Sequence, residues 1–363
     1  MLRVFHAVDD ESTLQVCPTS QLTRCREEPG WVWVDAGSAT EEELTMLFEE
    51  FGFDQLAWED VLEPSHFPKV DDYGEYLFVI LHGATAADQR LATGELDAFL
   101  GRDYLVTIHG EQALSIDFAI EQASRVPALA SGGADSLLAR ISEWQSRRYL
   151  PIIDELDDRI ESLEAESMEG LPSVIGDVQA LRRDVAVLRR VIGPQREVLM
   201  TLSGDYSPLL DTPARQRFNS VYDHHYRMVE SLDASRNMLA AVLDTYRSTV
   251  AERMNEVMKV LTVYAAILLP LSLMAGIYGM NFEEIPELGF RWGYFILLGV
   301  MASIAVGQWI YFSRRGFIGG PSLRRLPSLV GRGLTSVALL PVRTVGSLID
   351  VVVGTEDKPT DED

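Results

Sequence analysis

The sequence predicts an α+β cytosolic domain, then long stalk helices, then an all-α domain that crosses a membrane twice. Short strand patterns separated by turn residues occupy about the first 110 residues. A helical pattern of more than fifty residues later leads into two long uncharged runs. We therefore expect a cytosolic N-terminal domain at 1–134, a helical stalk at 135–258, a membrane domain at 259–312 and a cytosolic tail at 313–363.

Charge is unevenly distributed along the chain. The net charge is −24, and residues 1–279 carry −23 of it. Nucleic-acid binding needs clusters of Lys and Arg, so the acidic body argues against a nucleic-acid partner and fits cations as ligands. The two cysteines, Cys17 and Cys25, lack a CxxC spacing, and we interpret them as inert thiols in a reducing compartment. The N-terminus has no signal-peptide pattern.

The N-terminal domain combines strands with two helices. One helix is predicted at 40–51, where Thr40 and Glu43 have the spacing of a capping box. A second is predicted at 56–62, before Pro64. The strands are short runs rich in Val, Ile and aromatic residues, at 2–8, 31–35, 76–81, 96–100 and 104–108.

Three helices are predicted for the stalk region. The first, at 135–169, ends at Gly170 and Pro172, and the second covers about 173–200. The third begins after Pro213 and meets no further Gly or Pro until Pro270, a length of roughly 80 Å. The end of the first helix is strongly acidic, with Asp154, Glu155, Asp157, Asp158, Glu161, Glu164, Glu166 and Glu169.

Two uncharged segments are long enough to cross a bilayer. Residues 260–278 form a run of 19 and residues 292–312 a run of 21. A buried core helix is the alternative for either run. Basic residues flank the pair on its outer sides, and the connection at 280–291 is acidic, so the positive-inside rule places both termini in the cytosol. We expect a multi-pass protein of the cell (inner) membrane.

One face of the first span is a candidate pore lining. A two-span chain encloses a pore only as an oligomer, with one helix per subunit facing the axis. Steps of three and four residues, continued from the cytosolic helix into the first span, select small, polar and moderately apolar side chains on a seven-residue repeat. They are Asn255, Met258, Thr262, Ala265, Leu269, Ser272 and Gly276. Ordinary helix packing in the membrane also uses such residues and is the alternative reading.

A short motif follows the first span. Tyr278-Gly279-Met280-Asn281 ends the uncharged run, and an acidic loop continues with Glu283, Glu284, Pro286 and Glu287. The segment from Met254 to Leu288 resembles the pore helix and outer loop of the CorA magnesium transporter family, whose signature is Gly-Met-Asn at this place. The resemblance is strong over 215–312, which includes the run at 221–224, weaker at 68–81, and absent from 318–363.

The resemblance implies a funnel-shaped homopentamer that transports Mg²⁺, with Co²⁺ and Ni²⁺ as further cargo. It also implies that cytosolic Mg²⁺ closes this channel. In that family pattern Met258, Leu261 and Leu269 match the apolar constriction, and Asn255 matches an inner polar ring. A ring of Asn281 amide oxygens suits a hydrated ion that releases its water reluctantly. Glu283, Glu284 and Glu287 would concentrate cations outside, with a merely solvated loop as the alternative.

The family's regulatory site is less well matched. It pairs a stalk aspartate with one after the third strand, but this chain has Ser220 at the stalk position. Asp88 and Asp223 are the nearest substitutes for regulatory Mg²⁺ ligands, and a plain surface role for Asp223 is the alternative. The adjacent His224 and His225 suggest a transition-metal site, but neighbouring residues of a helix do not share a face, which argues against joint ligation.

The sequence contains no P-loop, HExxH or GxSxG motif, so an enzyme is not expected. The nearest rival is a transporter of Zn²⁺ or another transition metal from the same superfamily. A membrane-anchored sensor or scaffold without transport is the second rival.

For the tail at 313–363, basic residues and scattered apolar ones suggest short amphipathic segments on anionic membrane lipid, with disorder as the alternative.

Overall fold

The computed structural model describes residues 1–8, 13–63, 67–87, 90–110, 113–123, 125–280 and 290–317. The chain divides into two compact units, Met1–Thr249 and Val250–Asp363. The finer boundaries at 134 and 258 remain predictions.

Seven strands in the described residues form one mixed sheet in the first unit. They are β1 (Leu2–Ala7), β2 (Gln15–Cys17), β3 (Trp31–Gly37), β4 (Lys69–Asp72), β5 (Tyr76–Ala87), β6 (Arg90–Gly101) and β7 (Tyr104–His109). Their order is β2-β1-β3-β7-β6-β5-β4, and all neighbours are antiparallel except the parallel pair β3 and β7. The five predicted strands are confirmed, whereas the two edge strands β2 and β4 were missed.

Alternating side chains give the sheet two apolar faces. In β3, Val32 and Val34 point to one face and Trp31 and Trp33 to the other. The first face packs against α1 (Leu22–Glu27), α2 (Glu41–Phe51) and α3 (Gln55–Leu62). The second packs against α4 (Leu114–Ala123), α5 (Pro127–Ala130) and α6 (Gly133–Arg147). Helices therefore cover both faces of the sheet.

The capping box of α2 is confirmed. The backbone N–H of Glu43 donates to the Thr40 hydroxyl at 3.2 Å, and the backbone N–H of Thr40 donates to the Glu43 carboxylate at 3.0 Å. These two bonds satisfy backbone donors that the first turn of a helix leaves open, and they set the start of α2.

The predicted single helix at 135–169 is wrong in one respect, because it is two helices. It consists of α6 and α7 (Tyr149–Glu169), with Arg148 between them. Pro151 explains the interruption: proline has no backbone N–H and its ring would clash with the carbonyl of Arg147, so it is tolerated only in the first turn of a new helix. Gly170 ends α7 in the left-handed conformation, with φ of 63°, as its position predicted.

The stalk helices share a second apolar core. This core joins α7, α8 (Ser173–Ser203) and the first part of α9 (Thr212–Tyr278). Its side chains recur every three or four residues, as in Ile153, Leu156, Ile160 and Leu163 of α7. The prediction of one very long helix is confirmed by α9, whose 67 residues include Pro270.

The second unit contains the end of α9 and α10 (Gly293–Arg314). Both helices are long and apolar enough to cross a membrane. In their most apolar 18-residue windows only 6% of α9 and none of α10 is buried. A core helix of a soluble protein would be mostly covered, so the buried-core alternative does not hold for these helices.

Candidate ion pathway

One face of α9 in the second unit is partly covered. Val263 is buried, and Ile267, Leu271 and Met274 are half-buried. Met274 and Tyr278 line one cleft with four residues of α10 and with Phe290, which precedes it. The α10 residues of that cleft are Gly293, Ile296, Leu297 and Val300. We call this side of α9, from Val263 to Tyr278, the packing face.

The predicted pore-lining residues lie on the other side of the helix. At about 100° per residue, the centre of their face is roughly 180° from the centre of the packing face. All eight residues are exposed, and Leu269 is 73% exposed. They are Asn255, Met258, Leu261, Thr262, Ala265, Leu269, Ser272 and Gly276. We call this set the open face of α9.

The chemistry of the open face changes along the helix. Asn255 contributes an amide, Met258 and Leu261 contribute apolar bulk, and Ser272 and Gly276 are small. The Thr262 hydroxyl donates to the carbonyl oxygen of Met258 at 2.7 Å. Because that bond uses its proton, the hydroxyl oxygen is left as an acceptor, which is the polarity that a hydrated cation requires.

The helix ends tightly at the signature motif. The backbone N–H of Gly279 donates to the Ala275 carbonyl at 2.9 Å, and that of Met280 donates to the Ile277 carbonyl at 3.3 Å. A Cβ at Gly279 would lie 3.1 Å from the Ala275 oxygen, closer than is usual for such a contact. The absence of a side chain at Gly279 therefore favours this closely wound exit.

Several predicted site residues lie outside the described residues. They are Asn281, Glu283, Glu284 and Glu287 of the loop and Asp88 of the regulatory pair. The same holds for most of the tail, from residue 318 onward. The roles assigned to them remain predictions.

The remaining regulatory candidate, Asp223, is exposed on α9, as is Ser220 one turn earlier. The two neighbouring histidines differ in environment, since His224 is half-buried and His225 is fully buried. This separation is expected for adjacent residues of a helix.

Sequence reasoning missed a buried polar cluster around His225. The Tyr149 hydroxyl donates to the His82 carbonyl at 2.6 Å, and the backbone N–H of His82 donates to the Gln195 side-chain oxygen at 2.7 Å. The Gln195 amide nitrogen lies 3.2 Å from Nε2 of His225, and Nδ1 of His225 lies 3.1 Å from the Val221 carbonyl. The cluster thus links β5 to α7, α8 and α9.

These contacts assign His225 as neutral, with its proton on Nδ1. The Gln195 oxygen accepts from His82, so its amide donates to Nε2 of His225, and Nδ1–H donates to the Val221 carbonyl. Burial lowers the pKa of His225 to about 4. A signal for the cluster was present, since Gln195 occupies an apolar position of α8 between Ile192 and Val198.

The family described as CorA-like Mg²⁺ transporter protein matches residues 28–315. The chain belongs to this family. The CorA family is one of divalent-cation transporters, not of enzymes, and its members cross membranes.

Transport proteins named for different cations are similar to the chain. The cobalt/magnesium transport protein CorA of Thermotoga maritima is 32% identical, over 87% of this chain and 89% of the relative. The zinc transport protein ZntB of Yersinia enterocolitica is 26% identical, over 79% of this chain and 88% of the relative. Sequence similarity alone therefore leaves the choice of cation open.

A solved structure has the same fold. The complete structure of the CorA magnesium transporter from Methanocaldococcus jannaschii matches 88% of this chain and 99% of its own, with a TM-score of 0.77 and 22% identity. The N-terminal α/β domain, the long helix and the C-terminal apolar helix thus form a CorA fold.

Proposed function

We propose that the chain assembles into a homopentameric channel that carries Mg²⁺ into the cytosol through a pore lined by the open face of α9. The observation that carries the proposal is the position of this face opposite the packing face. Within one chain the open face is exposed, and from Leu261 to Gly276 it belongs to an uncharged span. The hydroxyl and small side chains of the face within the span are better placed around an aqueous pore than against lipid.

The membrane potential supplies the driving force. A divalent ion gains about 4.6 kcal/mol per 100 mV on entering a negative interior. Both termini would face the cytosol, so the loop with Asn281 and its glutamates would receive the ion outside. Cytosolic Mg²⁺ would close the channel when its concentration is high.

Mg²⁺ is favoured over Zn²⁺ by the donor atoms along this path. The open face and the loop offer amide, hydroxyl and carboxylate oxygens, which suit hard cations such as Mg²⁺. The face has no cysteine or histidine, the ligands that Zn²⁺ prefers. The intact Gly279-Met280-Asn281 motif and the higher identity to the cobalt/magnesium relative support the same choice. Co²⁺ and Ni²⁺ are expected as minor cargo.

Uptake into vesicles tests the proposal. The purified protein is reconstituted in liposomes with an interior-negative potential, and entry of Mg²⁺ is followed by an internal indicator dye with Co²⁺, Ni²⁺ or Zn²⁺ outside as competitor. We expect rapid Mg²⁺ entry. Co²⁺ and Ni²⁺ should slow this entry, and equimolar Zn²⁺ should slow it least. Preferential Zn²⁺ entry would favour a zinc transporter instead, and no flux of any cation would favour a membrane-anchored sensor.

A further inference from the structure

Two cysteines that are distant from any sequence motif come together with a histidine in the N-terminal unit. Cys17 Sγ, Cys25 Sγ and a ring nitrogen of His6 all lie within 4.8 Å of one another. His6 and Cys25 are buried, and Cys17 is half-buried. We call this set the thiol–imidazole cluster.

Strand register and one helix create the cluster. In the antiparallel pair of β1 and β2, Val4 lies opposite Cys17 and His6 lies opposite Gln15. His6 and Cys17 are therefore diagonal neighbours on the same face of the sheet. The helix α1 covers that face and brings Cys25 over the two strands.

The imidazole of His6 contains an unexplained polar atom. His6 is only 3% exposed, and its Nε2 is buried without a hydrogen-bond partner among the described residues. Its Nδ1 faces the Glu28 carboxylate, 3.9 Å away. A buried imidazole nitrogen without a partner is costly, and binding an ion would satisfy it.

We propose that His6, Cys17 and Cys25 bind a thiophilic divalent cation of the Zn²⁺ class, at a site separate from the transport path. Two thiolates and an imidazole are the ligands that select Zn²⁺ and Co²⁺ over Mg²⁺. Bond lengths of 2.0–2.3 Å place neighbouring tetrahedral ligands about 3.5–3.8 Å apart, so the cluster closes on an ion through shifts of about 1 Å or less.

The surroundings of His6 fit the same ion. A metal at Nε2 leaves Nδ1–H directed to Glu28, and a carboxylate behind a ligating histidine is a common arrangement in zinc sites. With three protein ligands, the fourth position is open to water. Because the cluster joins β1, β2 and α1, a bound ion would fasten the edge of the sheet to its covering helix.

A redox pair is the competing reading of two close thiols. A disulfide between Cys17 and Cys25 would leave the buried Nε2 of His6 without a role.

Cobalt absorption tests the site in the full-length protein. After chelator treatment in detergent under reducing conditions, Co²⁺ is added and the sulfur-to-cobalt charge-transfer band is recorded. The chain has two cysteines, so the band reports on this cluster alone, whatever ions bind to acidic surfaces or to the pore. We expect a band that saturates at one Co²⁺ per chain and that Zn²⁺ removes by displacement, whereas millimolar Mg²⁺ does not.

Variants locate the ligands. Cys17→Ser, at the half-buried position, should abolish the two-thiolate spectrum while the far-ultraviolet circular dichroism stays unchanged. His6→Gln should weaken Co²⁺ binding at least about ten-fold, and His224→Gln, a half-buried histidine elsewhere, should leave it unchanged. The proposal is overturned if the reduced wild-type protein shows no charge-transfer band, or if His6→Gln binds Co²⁺ as tightly as the wild type.

Discussion

The buried imidazole of His225 couples the stability of the stalk helices to pH. In the folded protein burial lowers its pKa to about 4, whereas an unfolded histidine has a value near 6.5. The unfolded chain therefore binds an extra proton between these values. The contribution of the neutral imidazole to the free energy of unfolding is complete above about pH 6.5. It is lost as the pH falls toward 4, by roughly 3 kcal/mol at most.

Thermal unfolding measured by tryptophan fluorescence at pH 7 and pH 4.5 checks this prediction. His225→Gln keeps a donor and an acceptor in the cluster but cannot titrate, so the fall in apparent Tm between the two pH values should be smaller than in the wild type. The neighbouring His224→Gln should keep the wild-type fall. Equal pH dependence in all three proteins would refute the assignment.

Asn281 is the residue on which ion entry is predicted to depend. Asn281→Ala removes the amide ring that would accept hydrogen bonds from the water shell of Mg²⁺, so Mg²⁺ flux into vesicles should be abolished. Size-exclusion chromatography should show the same oligomer as the wild type. Asn237→Ala, the same change at an exposed position in the first unit, should leave flux unchanged. Normal flux in Asn281→Ala would remove this residue from the mouth.

Among the elements, those with strong local patterns could be predicted and those held by tertiary contacts could not. The strands β3, β5 and β7 have runs of Val, Ile and aromatic residues, and β6 has a run with Leu and Phe, because both of their faces are covered. The edge strands β2 and β4 are three and four residues long, and β4 is Lys-Val-Asp-Asp. Short and charged edge strands resist further pairing, and for the same reason they lack a hydrophobic pattern.

The functional residues also divide into those that local spacing could predict and those that only tertiary contacts bring together. The open face of α9 could be predicted because a helix repeats every 3.6 residues, so spacing alone defines a face. The thiol–imidazole cluster could not, because the register of β1 with β2 and the position of α1 bring Cys17 and Cys25 to His6. The buried cluster of His225 likewise joins residues from four elements. The polar Gln195 at an apolar position of α8 was the one feature of the sequence that indicated it.

The acidic helix α7 predicts a response to Mg²⁺. Six of its eight acidic residues at 154–169 are exposed, and Asp157 and Glu166 are half-buried. Asp157 accepts a hydrogen bond from Ser235 of α9 at 2.7 Å, so part of its charge is already satisfied. The exposed carboxylates would repel those of adjacent subunits, and divalent cations would bridge or screen them.

Limited trypsin digestion of the oligomer measures this response. Millimolar Mg²⁺ should slow cleavage of the first unit, whereas NaCl at equal ionic strength should slow it less, because screening alone does not bridge carboxylates. With Ser220 at the stalk position, the protection should be weaker than in relatives that have aspartate there. Identical digestion in Mg²⁺ and NaCl would contradict a cation-binding role for this region.

For the whole molecule, the exposed surface of the two spans is expected to contact lipid and partner subunits. The apolar windows of α9 and α10 are almost entirely uncovered in the single chain. Lipid suits the apolar side chains of the spans, but it suits the Thr262 and Ser272 hydroxyls of the open face less well. An oligomer that turns this face inward satisfies both requirements, and five copies are expected from the family resemblance.

The central claim is that the open face of α9 lines the path of Mg²⁺, and Mg²⁺ uptake by a pair of matched variants tests it most directly. Leu269 on the open face is 73% exposed, and Ile277, away from that face, is 53% exposed. Leu269→Ala would widen an apolar constriction that gates by excluding water, so uptake into vesicles should rise several-fold and be less inhibited by internal Mg²⁺. Ile277→Ala should behave as the wild type. Wild-type uptake in Leu269→Ala, or an equal rise in both variants, would contradict the account.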